Sequence, residues 1–246
     1  MAIPLNAIDT DDADDIFPWA NIGLIVVNFL VFFYELSLSG GPLNRFFLDY
    51  SLVPCEYTSR CVAYAGTPHP FWVTLFTSMF IHAGWAHILG NMLFLFIFGN
   101  HIERSMGHWR YVGFYFLCGL GASVLEIATA FGSHVPGLGA SGAIAGVLAG
   151  FLVLYPTARI GSIIPLGFLF VPVRLPAWVF IGLWFLYQLW NGAAALSSTG
   201  SQAAGGVAYW AHVGGFITGL LLVRLFSTSD RVEHVKASHQ LSLASG

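Results

Sequence analysis

The sequence predicts an all-α membrane protein, a bundle of six transmembrane helices with both termini on the cytoplasmic side. Of its 246 residues 57% are hydrophobic and only 9% are charged, against roughly 25% charged in a soluble domain. Mean hydropathy is +0.74. Apolar runs of membrane-crossing length recur along the chain, and Lys and Arg are distributed unevenly between the loops that join them. The net charge of -3 and the lack of a basic patch leave nucleic acid without a footprint to bind, so no nucleic-acid partner is expected.

Residues 1–16 are polar and acidic and read as a short, poorly ordered cytoplasmic tail. Asp9, Asp11, Asp12, Asp14 and Asp15 stand where a cleavable signal would carry basic residues, so the first span is expected to stay in the protein. The membrane domain, 17–226, holds spans at about 17–38, 86–102, 109–131, 141–155, 176–194 and 207–226. The connection 39–71 mixes Gly40, Gly41, Pro42 and Pro54 with Phe46, Phe47, Tyr50 and Leu52, which predicts short helices lying partly in the interface. Residues 72–83 are apolar but too short to cross alone. Pro156 closes the fourth span, and 157–175, with Pro165 and Pro172, reads as a mixed loop. The Gly, Ser and Ala loop 195–206 allows mobility, and 227–246 reads as a disordered tail.

Six spans put both ends on one side. Arg104, Arg110, Arg159, Arg174, Arg224, Arg231 and Lys236 fall on that side, whereas Arg45 and Arg60 fall on the other. The termini are therefore expected to be cytoplasmic. With that orientation the second, fourth and sixth spans run inward, and their first turns carry His87 with Asn91, then Ser141, then His212. Asn91 lies 13 residues before Arg104, Ser141 lies 14 before Tyr155 and His212 lies 12 before Arg224. These are heights of about 18 to 21 Å above the inner boundary at ~1.5 Å per residue. A hydrocarbon core of ~30 Å then leaves all three levels about 10 Å below the outer surface.

Polar groups at that depth are costly, and so mark functional sites. Ser141 sits in Gly139-Ala140-Ser141-Gly142, where the lack of bulk lets another backbone come close, as a nucleophile requires. His212 is the candidate general base and acid. His87 and Asn91, four apart, share a helix face, and Asn91 together with the backbone N–H groups of Ser141 and Gly142 can serve a developing oxyanion. The same residues also fit plainer roles. Small residues around one serine are ordinary packing material in membranes, a lone histidine often bonds across helices, and Gly215-x-x-x-Gly219 by itself signals close helix packing.

Taken together, His82-x-x-x-x-His87-x-x-x-Asn91, Gly139-x-Ser141-Gly142 and Ala211-His212-x-x-Gly215-Phe216-x-x-Gly219 resemble the rhomboid family of intramembrane serine proteases. Gly99, Glu103 and Gly107 match its inner turn, and Tyr155-Pro156 and Pro176-Ala177 through Trp184 and Gln188 match its fifth span. The resemblance covers about residues 44–225. It implies a Ser141 nucleophile, a His212 base and oxyanion partners at His87 and Asn91, with no metal and no cofactor. Two features depart from it. The first outer loop lacks the Trp-Arg pair of some members, and Ala145 stands four residues after the serine where some have a tyrosine against which the histidine packs. What orients His212 is thus left open, with Tyr209 and Trp210 as nearby candidates. The family works with a serine and histidine dyad and no third member is obvious; Glu126, the only acidic residue within reach, reads first as a snorkelling or helix-bonding group. Cys55 and Cys61 can form a disulfide on an oxidising outer face, while Cys118 reads as packing.

The expected activity is cleavage of peptide bonds in or beside the transmembrane segments of other membrane proteins, single-span or multi-span. The substrate would enter from the bilayer between the second and fifth spans, past Phe94, Phe96, Trp184 and Trp190, with Tyr209 and Trp210 near the gate and the loop 195–206 as a cap. A non-catalytic relative that guides membrane clients would typically have lost Ser141 or His212. A small transporter would show an inverted repeat, and none is visible. The inward excess of Arg suits a bacterial inner membrane, with the active site toward the outer side.

Overall fold

The computed structural model describes residues 3–7, 17–58, 70–166, 169–197 and 208–236. Its helices are α1 (Trp19–Ser37), α2 (Gly41–Tyr50), α3 (Pro54–Tyr57), α4 (Thr74–Thr77), α5 (Trp85–Phe94), α6 (Asn100–Met106), α7 (His108–Thr129), α8 (Ser141–Leu154), α9 (Ala177–Ser197) and α10 (Tyr209–Phe226). A π-helical turn, Leu95–Gly99, joins α5 to α6. Among the described residues five helices are long and apolar enough to cross a membrane: Trp19–Ser37, Trp85–Met106, His108–Thr129, Ala177–Leu196 and Tyr209–Phe226. Ser141–Leu154 is a shorter apolar helix. The chain is a multi-pass membrane protein.

The short helix lies at the centre. Every residue of α8 from Gly142 to Phe151 is buried, because its glycines and alanines admit α7 on one side and α10 on the other. A Cβ added at Gly215 or Gly219 of α10 would fall onto the carbonyl oxygen of Gly142 or Gly146, and one at Gly142 would meet Ala122 of α7. The three helices thus touch backbone to backbone along a glycine seam, the close approach that drives association where lipid removes the hydrophobic incentive.

At the opposite end of the bundle from Ser141, Glu103 holds α1. Its carboxylate accepts the backbone N–H groups of Ala20 (3.0 Å) and Asn21 (2.7 Å), two donors left open in the first turn of α1. His108 Nδ1 donates to the same carboxylate at 2.5 Å. Asn21 extends the cluster, donating to Leu95 O (2.9 Å) and Asn100 Oδ1 (2.8 Å) and accepting from Tyr111 OH (2.6 Å). The π turn places the Leu95 carbonyl there, outside an α-helical ladder.

The stretch read from the sequence as a mixed loop is a hairpin. Strands β2 (Arg159–Leu166) and β3 (Leu169–Pro176) pair antiparallel, and β1 (Ile3–Ala7), within the amino-terminal stretch read as a tail, adds to β2. Residues 229–236, in the carboxy-terminal stretch read as disordered, are helical. The loop 195–206, expected as a cap, falls largely on 198–207, which lie outside the described residues, as do 8–16 and 237–246.

Candidate active site

Ser141 is the first residue of α8, and the loop before it is fastened on two sides. Leu52 and Gly137 exchange backbone hydrogen bonds (2.9 and 2.7 Å), and Gly139 N–H donates to Ser78 O at 2.8 Å. Gly139 has φ +117°, a backbone that only glycine takes without strain. A Cβ there would lie 2.7 Å from His87 Nε2 and 3.6 Å from Asn91 Nδ2. His87 and Asn91 therefore crowd the backbone two residues before the serine.

His212, in the first turn of α10, reaches across the glycine seam. Its Nε2 stands 2.8 Å from Ser141 Oγ. Its Nδ1 stands 2.8 Å from Gln188 Oε1 of α9. The Trp184 ring, one turn earlier on α9, lies against the imidazole with centroids 5.8 Å apart. His212 is only 8% exposed and Gln188 3%. A buried imidazole bonded at both nitrogens has one orientation, and this one points a ring nitrogen at a hydroxyl.

Asn91 is held by a residue whose role the sequence did not disclose. Its Nδ2 contacts His82 Nε2 at 3.0 Å. Because an amide nitrogen only donates, His82 Nε2 must accept and Nδ1 carries the proton, donating to Phe80 O at 3.3 Å. His82 is buried, and both oxygens of Glu35 in α1 accept its backbone N–H (3.1 and 3.3 Å). A histidine five residues before His87 in an apolar stretch was the available signal. The sequence could not say that it turns inward to the carboxamide.

Glu126 does not meet the histidine ring's Nδ1, which Gln188 occupies. Its carboxylate faces the Ala211 backbone N–H, at the start of α10. Glu126 also lines a cavity of about 40 Å³ beside Ser141, together with Ser78, Ser123, Gly139 and Ala211. That volume admits water and offers it polar partners. Tyr209 pairs edge-on with Tyr187 (6.4 Å), and Trp210 Nε1 donates to Gly192 O at 3.1 Å, so both tie α10 to α9. Phe94 packs against Phe180 of α9 (6.3 Å), while Phe96 and Trp190 are exposed toward the surroundings of the bundle. Cys55 is buried, and Cys61, its expected partner, lies outside the described residues.

Chemically, the arrangement offers a hydroxyl with a proton acceptor in contact, flanking amide and imidazole groups, and a recess large enough for water. A family model described as a rhomboid domain matches residues 69–229. The chain is 26% identical to rhomboid protease AarA of Providencia stuartii over 90% of this chain and 74% of that protein. It is 31% identical to the mitochondrial rhomboid protein 1 of Saccharomyces cerevisiae over 72% of this chain and 45% of that one. Identity to RHOMBOID-like protein 1 of Arabidopsis thaliana is 28%, over 55% and 39% respectively. The chain spans about half the length of several of the curated relatives it matches.

Proposed function

This chain belongs to the rhomboid family, and from that premise we propose that it is a serine endopeptidase cutting peptide bonds in or next to the transmembrane segments of other membrane proteins. The observation that carries the reading is the 2.8 Å contact between His212 Nε2 and Ser141 Oγ. Ser141 Oγ attacks the scissile carbonyl carbon as His212 Nε2 takes the hydroxyl proton. The tetrahedral intermediate collapses when His212 returns that proton to the leaving amine, and the carbonyl side stays on Ser141 as an ester. Water then attacks the ester with His212 again as base, releasing the acid and restoring the hydroxyl. The cavity beside Ser141 supplies room for that water.

The oxyanion needs donors fixed in advance. Asn91 Nδ2 carries two hydrogens, of which His82 takes one, so the second is free for substrate. His87 and the N–H groups of Ser141 and Gly142, which open α8 and have no partner within the helix, complete the set. One such donor is worth roughly 3 to 4 kcal/mol in a transition state.

The substrate segment must unwind locally, since a helix hides its carbonyls in its own hydrogen bonds. Entry between the second span and α9 passes Phe94, Trp184 and Trp190. The apolar runs support six spans, and the Lys and Arg asymmetry supports cytoplasmic termini with an active site open to the outer side, an arrangement that suits a bacterial inner membrane. The test is cleavage of a single-span reporter by purified protein in liposomes, against Ser141→Ala and His212→Ala. Cutting by the natural protein alone, with both variants folded, supports the reading. Equal behaviour of all three overturns it.

A further inference from the structure

A histidine that takes a proton from serine at Nε2 must keep its own proton at Nδ1. In free imidazole either nitrogen can hold it, so something must select one. In a buried site an N–H with no acceptor is penalised, and the tautomer therefore follows whatever faces Nδ1. Here that is a carboxamide, whose two ends have opposite roles. Gln188 Nε2 lies 3.4 Å from the Trp184 carbonyl one turn back on α9. A carbonyl only accepts, so it claims the NH2 end and leaves Oε1 turned to His212 Nδ1 at 2.8 Å. The chain of donors then runs one way, from the Ser141 hydroxyl to Nε2 and from Nδ1–H to Gln188 Oε1.

From these contacts we infer that Gln188 is a positioning residue for the reaction. It holds His212 in the tautomer that can act as base, and it stabilises the imidazolium formed during attack through a neutral oxygen. Trp184, on the same face of α9, fixes the plane of the ring. A carboxylate at this place would stabilise the imidazolium more, but it would bury an unpaired anion at membrane depth whenever the ring is neutral. An amide gives the direction without that penalty. Ala145, which offers only a methyl, leaves the task to α9. The inference rests on the proteolytic reading, so its test needs one readout that does not depend on cleavage.

The experiment compares the natural protein with Gln188→Leu and the near-isosteric Gln188→Glu. It follows kcat and KM for the reporter against pH, the unfolding midpoint, and the 15N shifts of the His212 ring. Loss of the acceptor in Gln188→Leu is expected to lower kcat about 10- to 100-fold, with KM and the unfolding midpoint nearly unchanged. The ring shifts should pass from one tautomer to a mixture. Gln188→Glu keeps an oxygen acceptor facing Nδ1 whether or not the carboxyl ionises, and so should keep most of kcat and a single tautomer. The inference is overturned if Gln188→Leu keeps a single Nδ1–H tautomer, or if its kcat matches that of the natural protein. Should the natural protein cleave no reporter and fail to react with a fluorophosphonate at Ser141, the proteolytic reading fails. The ring shifts would still decide what Gln188 does to His212.

Discussion

Around Glu103 one carboxylate gathers the N–H groups of Ala20 and Asn21 and the ring of His108. Around Ser141, by contrast, uncharged side chains are strung together by single hydrogen bonds, Ser141 to His212 to Gln188 and Asn91 to His82. Both clusters are buried and both join helices distant in sequence. The first saturates its acceptor, and what it yields is attachment of α1 to the bundle. The second leaves capacity unspent: a serine lone pair, one hydrogen of Asn91, and the open backbone of the first turn of α8. Saturation makes a fastening, and directed incompleteness makes a site.

If that contrast is right, changes at the two clusters must affect different measurements. The largest effect belongs to Ser141→Ala and His212→Ala, each expected to lower reporter cleavage at least ~10⁴-fold while the unfolding midpoint holds. Asn91→Ala removes an oxyanion donor and is expected to lower kcat about 10²- to 10³-fold at similar KM. Because His82 then loses its donor, a small drop in unfolding temperature should accompany it. Glu103→Ala reverses the pattern. It strands two buried backbone donors and a ring nitrogen, so a stability loss of about 3 kcal/mol in denaturant titration is expected, with kcat of the folded fraction unchanged. A Glu103→Ala protein that is stable but inactive would dissolve the distinction.

The smallest expected effect is on pH. Burial first, and the neighbouring His87 second, push the His82 imidazole down to about 4. In the unfolded chain it titrates near 6.5. Between these values the unfolded state binds more protons than the folded one, so this group makes stability fall as pH drops from about 6.5 toward 4 and contributes no slope above. Unfolding midpoints at pH 7 and pH 4.5, compared between the natural protein and His82→Gln, measure it. The variant should show the shallower fall.

Ser141, His212, His87 and Asn91 stand out as candidates in the sequence because helix rise converts residue counts into depth, and depth makes polar side chains conspicuous. The glycine pairs could be read because close approach has a residue signature. Gln188 was visible as a polar residue one turn from Trp184, but its partner depends on the rotation of α9 about its axis, which no local pattern sets. The hairpin was hidden by its prolines. Pro172 stands on the edge strand β3, where proline is tolerated, and Pro165 lies beyond the stretch of β2 that β1 covers. The pairing of Ile3–Ala7 with β2 is a contact across more than half the chain, and composition carries no trace of it.

The glycine seam has one more consequence. Where Gly142 meets Gly215 and Gly146 meets Gly219, there are no rotamers to freeze on assembly and none to loosen on warming. The interval between the fourth and sixth spans is set by peptide planes in contact, so the gap from serine to histidine behaves like a gauge block, keeping its dimension because it has no moving parts. Heat should therefore unfold this protein before it detunes it, and cleavage per folded molecule should rise smoothly with temperature, without a break, up to the edge of the melt.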